Sequence, residues 1–111
     1  MIRKKTLVAS LLAVALATFF GSGAIRAGHY ARAFETVAIG QPEATVLAKF
    51  GPPGVTDTRR APFLRYASQA CTPPCSRRLW WEHPLLPSIE AWSITLDTTG
   101  KVVDKAHWVS P

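Results

Sequence analysis

Hydrophobic and polar positions along the chain follow two different periods, after a first stretch that has no period at all. Residues 7–20, LVASLLAVALATFF, contain no charge. Over residues 29–38 the apolar positions recur at the i, i+3, i+4, i+7 spacing of one helix face. These positions are Tyr30, Ala33, Phe34 and Val37. The pattern predicts a short helix here.

Residues 40–53, GQPEATVLAKFGPP, mark both ends of a second helix. Pro42 suits the first turn, where its missing N–H is no loss, and Glu43 complements the positive end of the helix dipole. Gly51 suits a left-handed position after the helix, and Pro52 prevents its continuation. The predicted apolar stripe is Ala44, Leu47 and Ala48, flanked by Val46 and Phe50. So short a helix is unstable alone and must pack on another element.

Strands are predicted in the second half of the chain, where short runs are rich in aromatic or alternating apolar residues. The four runs are PFLRYAS (62–68), RRLWWEH (77–83), IEAWSITLD (89–97) and KVVDKAHWV (101–109). In the third, Trp92, Ile94 and Leu96 share one face, as in a half-buried strand. A hairpin turn is expected at residues 98–100, with Gly100 in the left-handed position.

The sequence does not decide which face of the last predicted strand is buried. One face would carry Val102, Ala106 and Trp108, and the other Val103 and Val109. Helices followed by hairpin-connected strands predict an α+β fold. We expect two short N-terminal helices packed on one face of a four-stranded antiparallel sheet.

The N-terminal segment has the layout of an export signal, with a basic start, an apolar run and small residues. Cleavage is expected after Ala24, with Ala27 as an alternative. A retained membrane anchor is the competing interpretation, because residues 6–25 are 20 uncharged residues and about 20 cross a bilayer. We therefore expect residues 1–27 to be a signal peptide or anchor, and residues 28–111 to be a single small α+β domain.

Charge gives little support to a nucleic-acid partner. The chain carries a net charge of +6, but four of its 13 basic residues lie before Gly28. From Gly28 onward, nine basic residues face seven acidic ones. The basic character is mainly a targeting feature, so no nucleic-acid binding is expected.

The two cysteines, Cys71 and Cys75, are expected to form a disulfide, because an exported chain enters a compartment where disulfides persist. The bridge would constrain a long connection between strands, and on the chain-entropy estimate it would stabilise the folded state by about 2 kcal/mol. A redox pair and a zinc site with His83 and His107 are weaker alternatives, since the spacing of neither motif is present.

The aromatic and basic run around residues 77–81 is the candidate protein-binding surface. Neighbouring strand residues point to opposite faces, so one of Trp80 and Trp81 is expected in the core and the other outside, unless helices cover both faces. An outward tryptophan beside arginines has the composition of an interaction hot spot. The competing interpretation is that both rings fill core volume. The candidate residues are Tyr66, Arg77, Arg78, Trp80 and Trp81.

No catalytic chemistry is predicted. The three histidines, His29, His83 and His107, are isolated in the sequence, and no serine lies in a nucleophile motif. No carboxylate pair has a neighbour that would adjust its acidity. We expect a non-enzymatic protein without a cofactor and without a metal.

Two segments resemble a known family. The helix GQPEATVLAKFGPP, Gly40 to Pro53, and the hairpin AWSITLDTTGKVVD are similar to the two motifs of the SmpA/OmlA (BamE-like) outer-membrane assembly lipoproteins. The resemblance covers most of residues 36–106. It implies the fold that these proteins share with beta-lactamase inhibitor proteins. The family's lipobox cysteine is missing from FFGSGAIRAGHY, so no lipid anchor is expected.

These observations predict a non-catalytic domain that binds another envelope protein, as an accessory of envelope or outer-membrane assembly. It is expected in the periplasm after signal cleavage, or attached to the inner membrane through residues 6–25 and facing the periplasm. The alternative function is a soluble inhibitor or ligand-binding domain on the inhibitor-like fold. That alternative predicts a concave sheet face rich in exposed aromatic residues.

Overall fold

The computed structural model describes residues 3–110. The first two residues of the predicted signal or anchor segment 1–27 and the last residue of the predicted domain 28–111 lie outside the described range. The elements are α1 (Lys4–Thr36), α2 (Glu43–Phe50), β1 (Val55–Asp57), β2 (Arg77–Glu82), β3 (Glu90–Leu96) and β4 (Val102–Val109). The four strands form one antiparallel sheet in the order β1-β2-β3-β4. The predicted α+β class with a four-stranded antiparallel sheet is confirmed.

The prediction of two short helices is wrong for the first one. α1 is a single helix of 33 residues that continues from the apolar run into the domain. Tyr30, Ala33 and Phe34 lie on its packed face, as the spacing predicted, and Val37, the residue that follows the helix, is buried in the same core. Gly21, Ser22 and Gly23 lie between the two segments, but no proline does, so no backbone N–H of the i to i−4 hydrogen bonds is missing.

The predicted strand at residues 62–68 is also wrong. This segment lies in the long connection between β1 and β2, and the first strand is instead the three-residue β1. β1 pairs with β2 from Val55 opposite Trp80 to Asp57 opposite Arg78. Aromatic content suggested a strand at residues 62–68, but its aromatic rings are used to cover the sheet.

The helix face of the sheet is covered by α1 and α2. Its buried residues are Leu79, Trp81, Trp92, Ile94, Leu96 and Val102. α2 contacts them through Val46 and Phe50, whereas Ala44 and Ala48 of the predicted stripe are exposed. Val46 and Phe50 have larger side chains than the two alanines and lie on one face of the helix at i and i+4. Phe50 stacks on Trp81 with ring centres 4.2 Å apart.

The opposite face, called the loop face, is covered by residues 58–76. Trp80, Ala91 and Ala67 are buried there, with Phe63, Tyr66 and Trp108 packed around them. As a result Ser93 is buried although it lies opposite the helices, and its hydroxyl accepts a hydrogen bond from the Trp108 indole at 2.9 Å. β3 is therefore buried on both faces rather than half-buried.

A bulge in β4 settles the question that its sequence left open. Leu96 pairs with Val102, but Thr95 pairs with Asp104, so Val103 is an additional residue. Val102 therefore faces the helices, while Trp108, which is an even number of residues further on, faces the loop. The set Val102, Ala106 and Trp108 is thus divided between the two faces, and neither Val103 nor Val109 of the competing set is buried.

Candidate functional site

Trp80 and Trp81 are both buried, with exposed fractions of 0% and 1%. The competing interpretation, that both rings fill core volume, is therefore confirmed, and the outward tryptophan of the hot-spot interpretation is wrong. They do point to opposite faces, but each face has a cover, since α2 lies over Trp81 and the 58–76 loop over Trp80. The cover of the second face is an irregular loop, which the strand pattern of residues 77–81 could not indicate.

Asp57, Arg78 and Trp80 form a polar cluster on the loop face. The Asp57 carboxylate is fully buried, and its Oδ2 accepts from Arg78 Nε at 2.9 Å and from the Trp80 indole at 2.8 Å. Arg78 also donates to the Gln69 carbonyl and lies over the Trp80 ring at 5.0 Å. The cluster holds β1, β2 and the covering loop together.

Tyr66 joins the covering loop to the end of β2. Its ring stacks on Trp80, and its hydroxyl donates to Glu82 Oε2 at 2.7 Å and accepts from the Ser88 N–H. Burial, and then the hydrogen bond to Glu82, raise the pKa of Tyr66 to about 12. Burial opposes ionisation of Glu82, but hydrogen bonds from Tyr66 and Arg65 outweigh it and lower the Glu82 pKa.

The free energy of unfolding is expected to fall on both sides of neutral pH. Glu82 has a lowered pKa, so its contribution is present above its ordinary pKa of 4.5 and is lost as pH falls through the lower folded value. Tyr66 has a raised pKa, so its contribution is present below pH 10.0 and is lost as pH rises towards 12. The measurement is the urea midpoint as a function of pH.

The Tyr66→Phe variant is the control for this pH dependence. Phenylalanine keeps the ring on Trp80 but removes the titrating hydroxyl, so the loss of stability at alkaline pH should become smaller. An unchanged alkaline profile in this variant would contradict the assignment to Tyr66.

The five candidate binding residues do not form one exposed surface. Arg77 lies on the helix face, where its guanidinium pairs with Glu43 of α2. Trp81 lies on the same face, whereas Tyr66, Arg78 and Trp80 lie on the other. Their contacts are with each other and with neighbouring elements of the domain. The five residues were grouped mainly because they are close in the sequence, but they lie on two opposite faces of the sheet.

The predicted disulfide is confirmed, with Cys71 and Cys75 Cα atoms 5.3 Å apart, in the connection between β1 and β2. Both sulfurs are bonded, which removes them as thiolate ligands for zinc. The clipped loop forms one wall of a pocket of about 500 Å³, and β3 and β4 form its base. We call it the disulfide pocket; its lining includes Tyr66, Cys71, Arg78, Thr95, Asp104 and Trp108.

β4 is an edge strand that borders this pocket. Beyond Val102, which bonds to Gly40 and Gln41, no described residue makes a backbone hydrogen bond to the outer side of β4. The Lys105 side chain does not protect this edge against pairing with another strand. Its ammonium group donates to the Phe34 carbonyl at 2.8 Å and lies over the Phe34 ring. Neither feature was predicted, since the pocket depends on how the covering loop folds back and the open edge depends on the strand order.

Two histidines that are isolated in the sequence meet at Glu90. His107 Nε2 lies 2.8 Å from Glu90 Oε2, and His83 Nε2 lies 3.9 Å from Glu90 Oε1. Both imidazoles stack on Trp92, and His83 Nδ1 accepts the Leu85 N–H. Within residues 3–110, no three acidic, histidine or cysteine side chains converge as a metal site. These contacts fix the β2–β3 connection to the sheet.

α1 has the length and composition of a membrane-spanning helix, the one such helix in the part of the chain that the structure describes. It passes through Ala24 and Ala27, the two predicted cleavage positions, without a break. Ala27 is 8% exposed and belongs to the core that includes the sheet, so the helix is joined to the domain by packing as well as by the chain.

Comparison of the chain with family models, with curated proteins and with solved structures returns no match.

Proposed function

We propose that this chain is a non-catalytic, membrane-attached protein of the cell envelope that binds an extended segment of another envelope protein. The observation that carries the proposal is the open edge of β4 beside the disulfide pocket. A partner strand adding to such an edge gains main-chain hydrogen bonds, and its alternate side chains reach the pocket. The volume of about 500 Å³ is within the range of ligand-binding pockets.

The chemistry of the pocket favours a partner segment of mixed polarity. Trp108 and Tyr66 supply aromatic surface, Asp104 supplies an exposed carboxylate, and Thr95 a hydroxyl. Aromatic residues with a few polar groups are typical of protein-binding surfaces. Arg78 is already paired with Asp57, so its guanidinium is not available to a partner.

In the proposed orientation, the pocket lies on the far side of the membrane from the N-terminus. Arg3, Lys4 and Lys5 precede the apolar run, and basic residues stay on the cytoplasmic side of a span. The Cys71–Cys75 disulfide is consistent with an oxidising compartment for the domain. Retention of α1 is supported by its unbroken course into the packed segment at Ala27.

The function is tested by photo-crosslinking in cells that produce the full-length chain. A benzophenone amino acid at Asp104, on the open edge and in the pocket, is expected to give an ultraviolet-dependent adduct with one envelope protein. The same group at Thr56, an exposed residue of β1 at the other end of the sheet order, is the matched control. Equal adducts at both positions, or none at Asp104 in a folded chain, would reject the proposal.

A Val103→Arg variant makes this test specific for the pocket. Val103 lines the pocket at the bulge, so a long cationic side chain there should block the partner segment and abolish the Asp104 adduct. Thr98→Arg places the same side chain on the exposed hairpin turn, away from the pocket lining, and should leave the adduct unchanged.

The inhibitor-like alternative has less support. It requires a sheet face rich in exposed aromatic residues, whereas Trp80, Trp81 and Trp92 are each at most 3% exposed. The role in outer-membrane assembly that the SmpA/OmlA (BamE-like) resemblance implies stays a prediction. A crosslinked partner belonging to an outer-membrane assembly complex would support that role.

A further inference from the structure

The end of the sheet that carries the β2–β3 connection has an exposed apolar rim. Leu86 and Ile89 belong to this connection, Leu64 precedes Arg65, which pairs with Glu82 at the end of β2, and Val109 pairs with Glu90 at the start of β3. Their exposed fractions are 44%, 46%, 53% and 63%, respectively. We call these four residues the apolar rim.

α1 fixes the position of this rim relative to the proposed membrane span. Gly23 of α1 is buried against Leu85 of the β2–β3 connection, and a Cβ atom on Gly23 would lie 2.6 Å from Leu85. Gly23 lies inside the uncharged run of residues 6–25, two residues before its end. At about 1.5 Å per residue, this contact is about 3 Å inside the end of the apolar run.

We propose that the apolar rim inserts into the interface of the lipid bilayer that α1 crosses. The inference rests on the proposed function only in requiring that α1 is retained. Residues 6–25 span about 30 Å as a helix, which matches the hydrocarbon thickness of a bilayer. A loop that contacts α1 at Gly23 therefore lies at the boundary between acyl chains and headgroups.

Lipid is the occupant that the surroundings of the rim favour. The exposed apolar surface of α1 reaches the level of the Gly23 contact, since Ile25, two residues further along the helix, is 71% exposed. Arg26 follows Ile25 and Arg65 follows Leu64 of the rim, and arginine side chains at such positions extend to the headgroup level. Of the neighbouring carboxylates, Glu82 is paired with Arg65, and Glu90 Oε2 lies 2.8 Å from His107 Nε2.

The β2–β3 connection, which carries Leu86 and Ile89 of the rim, is held in place before any lipid is bound. His83 accepts the Leu85 N–H, and the Tyr66 hydroxyl accepts the N–H of Ser88, which has a positive φ of 72°. A left-handed backbone at a serine is costly and persists where surrounding contacts determine it. Insertion of a preordered loop avoids most of the entropy loss of ordering it on the membrane.

The test uses the full-length chain in phosphatidylcholine vesicles with a polarity-sensitive nitrobenzoxadiazole dye at Leu86→Cys. The native cysteines are bonded to each other, so the dye reacts with the introduced thiol under non-reducing conditions. Thr98→Cys, in the hairpin at the opposite end of the sheet, is the control. The dye at position 86 should be quenched by a nitroxide on the lipid and several-fold less by aqueous iodide than the dye at position 98.

Two glycine variants show whether α1 sets the depth of the rim. Gly23→Val places a side chain where the Leu85 side chain lies, so Leu85 must shift away from α1 and iodide quenching of the dye at position 86 should increase. Gly21→Val is the matched control, since nothing lies within 4 Å of its Cβ position, and should leave quenching unchanged. Iodide quenching at position 86 as strong as at position 98, without nitroxide quenching, would overturn the proposal.

Failure of this proposal can be distinguished from failure of the proposed function. The intact mass of the chain from membrane and soluble fractions reports whether α1 is retained. A soluble, cleaved chain would overturn both the membrane attachment and the rim insertion. A retained chain with a water-exposed rim would overturn the insertion alone, while the Asp104 adduct reports partner binding independently of either result.

Discussion

Replacing Trp81 with alanine is expected to lower the free energy of unfolding by about 3 to 5 kcal/mol, the range for large-to-small substitutions of buried aromatic residues. The indole is 1% exposed, stacks on Phe50 and donates to the Pro52 carbonyl at 3.1 Å. Its removal leaves a cavity between α2 and the sheet and a lost hydrogen bond at the helix end. The measurement is urea unfolding of the full-length chain in detergent, followed by near-ultraviolet circular dichroism.

Trp80→Ala is expected to have an effect of the same size, because its ring fills the loop face and its indole binds Asp57. The control is Ile39→Ala, at a residue that is 63% exposed, which should change stability by less than about 0.5 kcal/mol. If either tryptophan variant kept the stability of the parent chain, that ring would not be a core residue. It would then again be a candidate for an exposed protein-binding residue.

Removal of the buried Asp57 carboxylate is the second large effect that we expect. Asp57→Ala should cost about 3 to 5 kcal/mol, as is typical when one partner of a buried ion pair is removed. Arg78, whose side chain is 12% exposed, would lose its carboxylate partner, and the Trp80 indole would lose its acceptor. A buried donor left without a partner costs free energy because it has also lost water.

A double-mutant cycle separates this ion pair from simple loss of packing. The cycle compares Asp57→Leu, Arg78→Met and the double variant, and the double variant should recover part of the stability lost in Asp57→Leu, because Arg78 is then no longer left without a partner while the Trp80 indole still lacks its acceptor. The matched control is Glu43→Ala, which removes the partner of Arg77 on the other face, where the side chains are 35% and 29% exposed. It should cost at most about 1 kcal/mol. Equal costs for the two pairs would contradict the assigned burial of Asp57.

The local signals in the sequence were reliable where one element's own chemistry decides its structure. The second helix begins at Glu43 and ends at Phe50, and Gly51 has the positive φ that the pattern required. The hairpin turns at residues 98–100 with Gly100 at φ 77°, and Asp97 accepts hydrogen bonds from Thr99 and Lys101. Such turns depend on a few adjacent residues, so the sequence alone specifies them.

The candidate site was not predictable in the same way. The sequence indicated the Cys71–Cys75 clip, but not that residues 58–76 fold across the sheet and bury Trp80. The pocket and the open edge of β4 both follow from this cover and from the strand order. No periodicity marks a loop that packs through scattered aromatic residues such as Phe63 and Tyr66, so the prediction of a strand there was wrong.

By itself, the sequence determined the α+β class, the hairpin, the disulfide and an N-terminal segment apolar enough to cross a membrane. Each follows from residue chemistry within a short stretch of chain. Only the tertiary structure decided that Trp80 and Trp81 are both buried and that α1 is continuous with the domain. It also decided that the β2–β3 connection contacts α1 at Gly23. These features depend on which distant segments cover each face, because burial is a property of the packed chain and not of any one element.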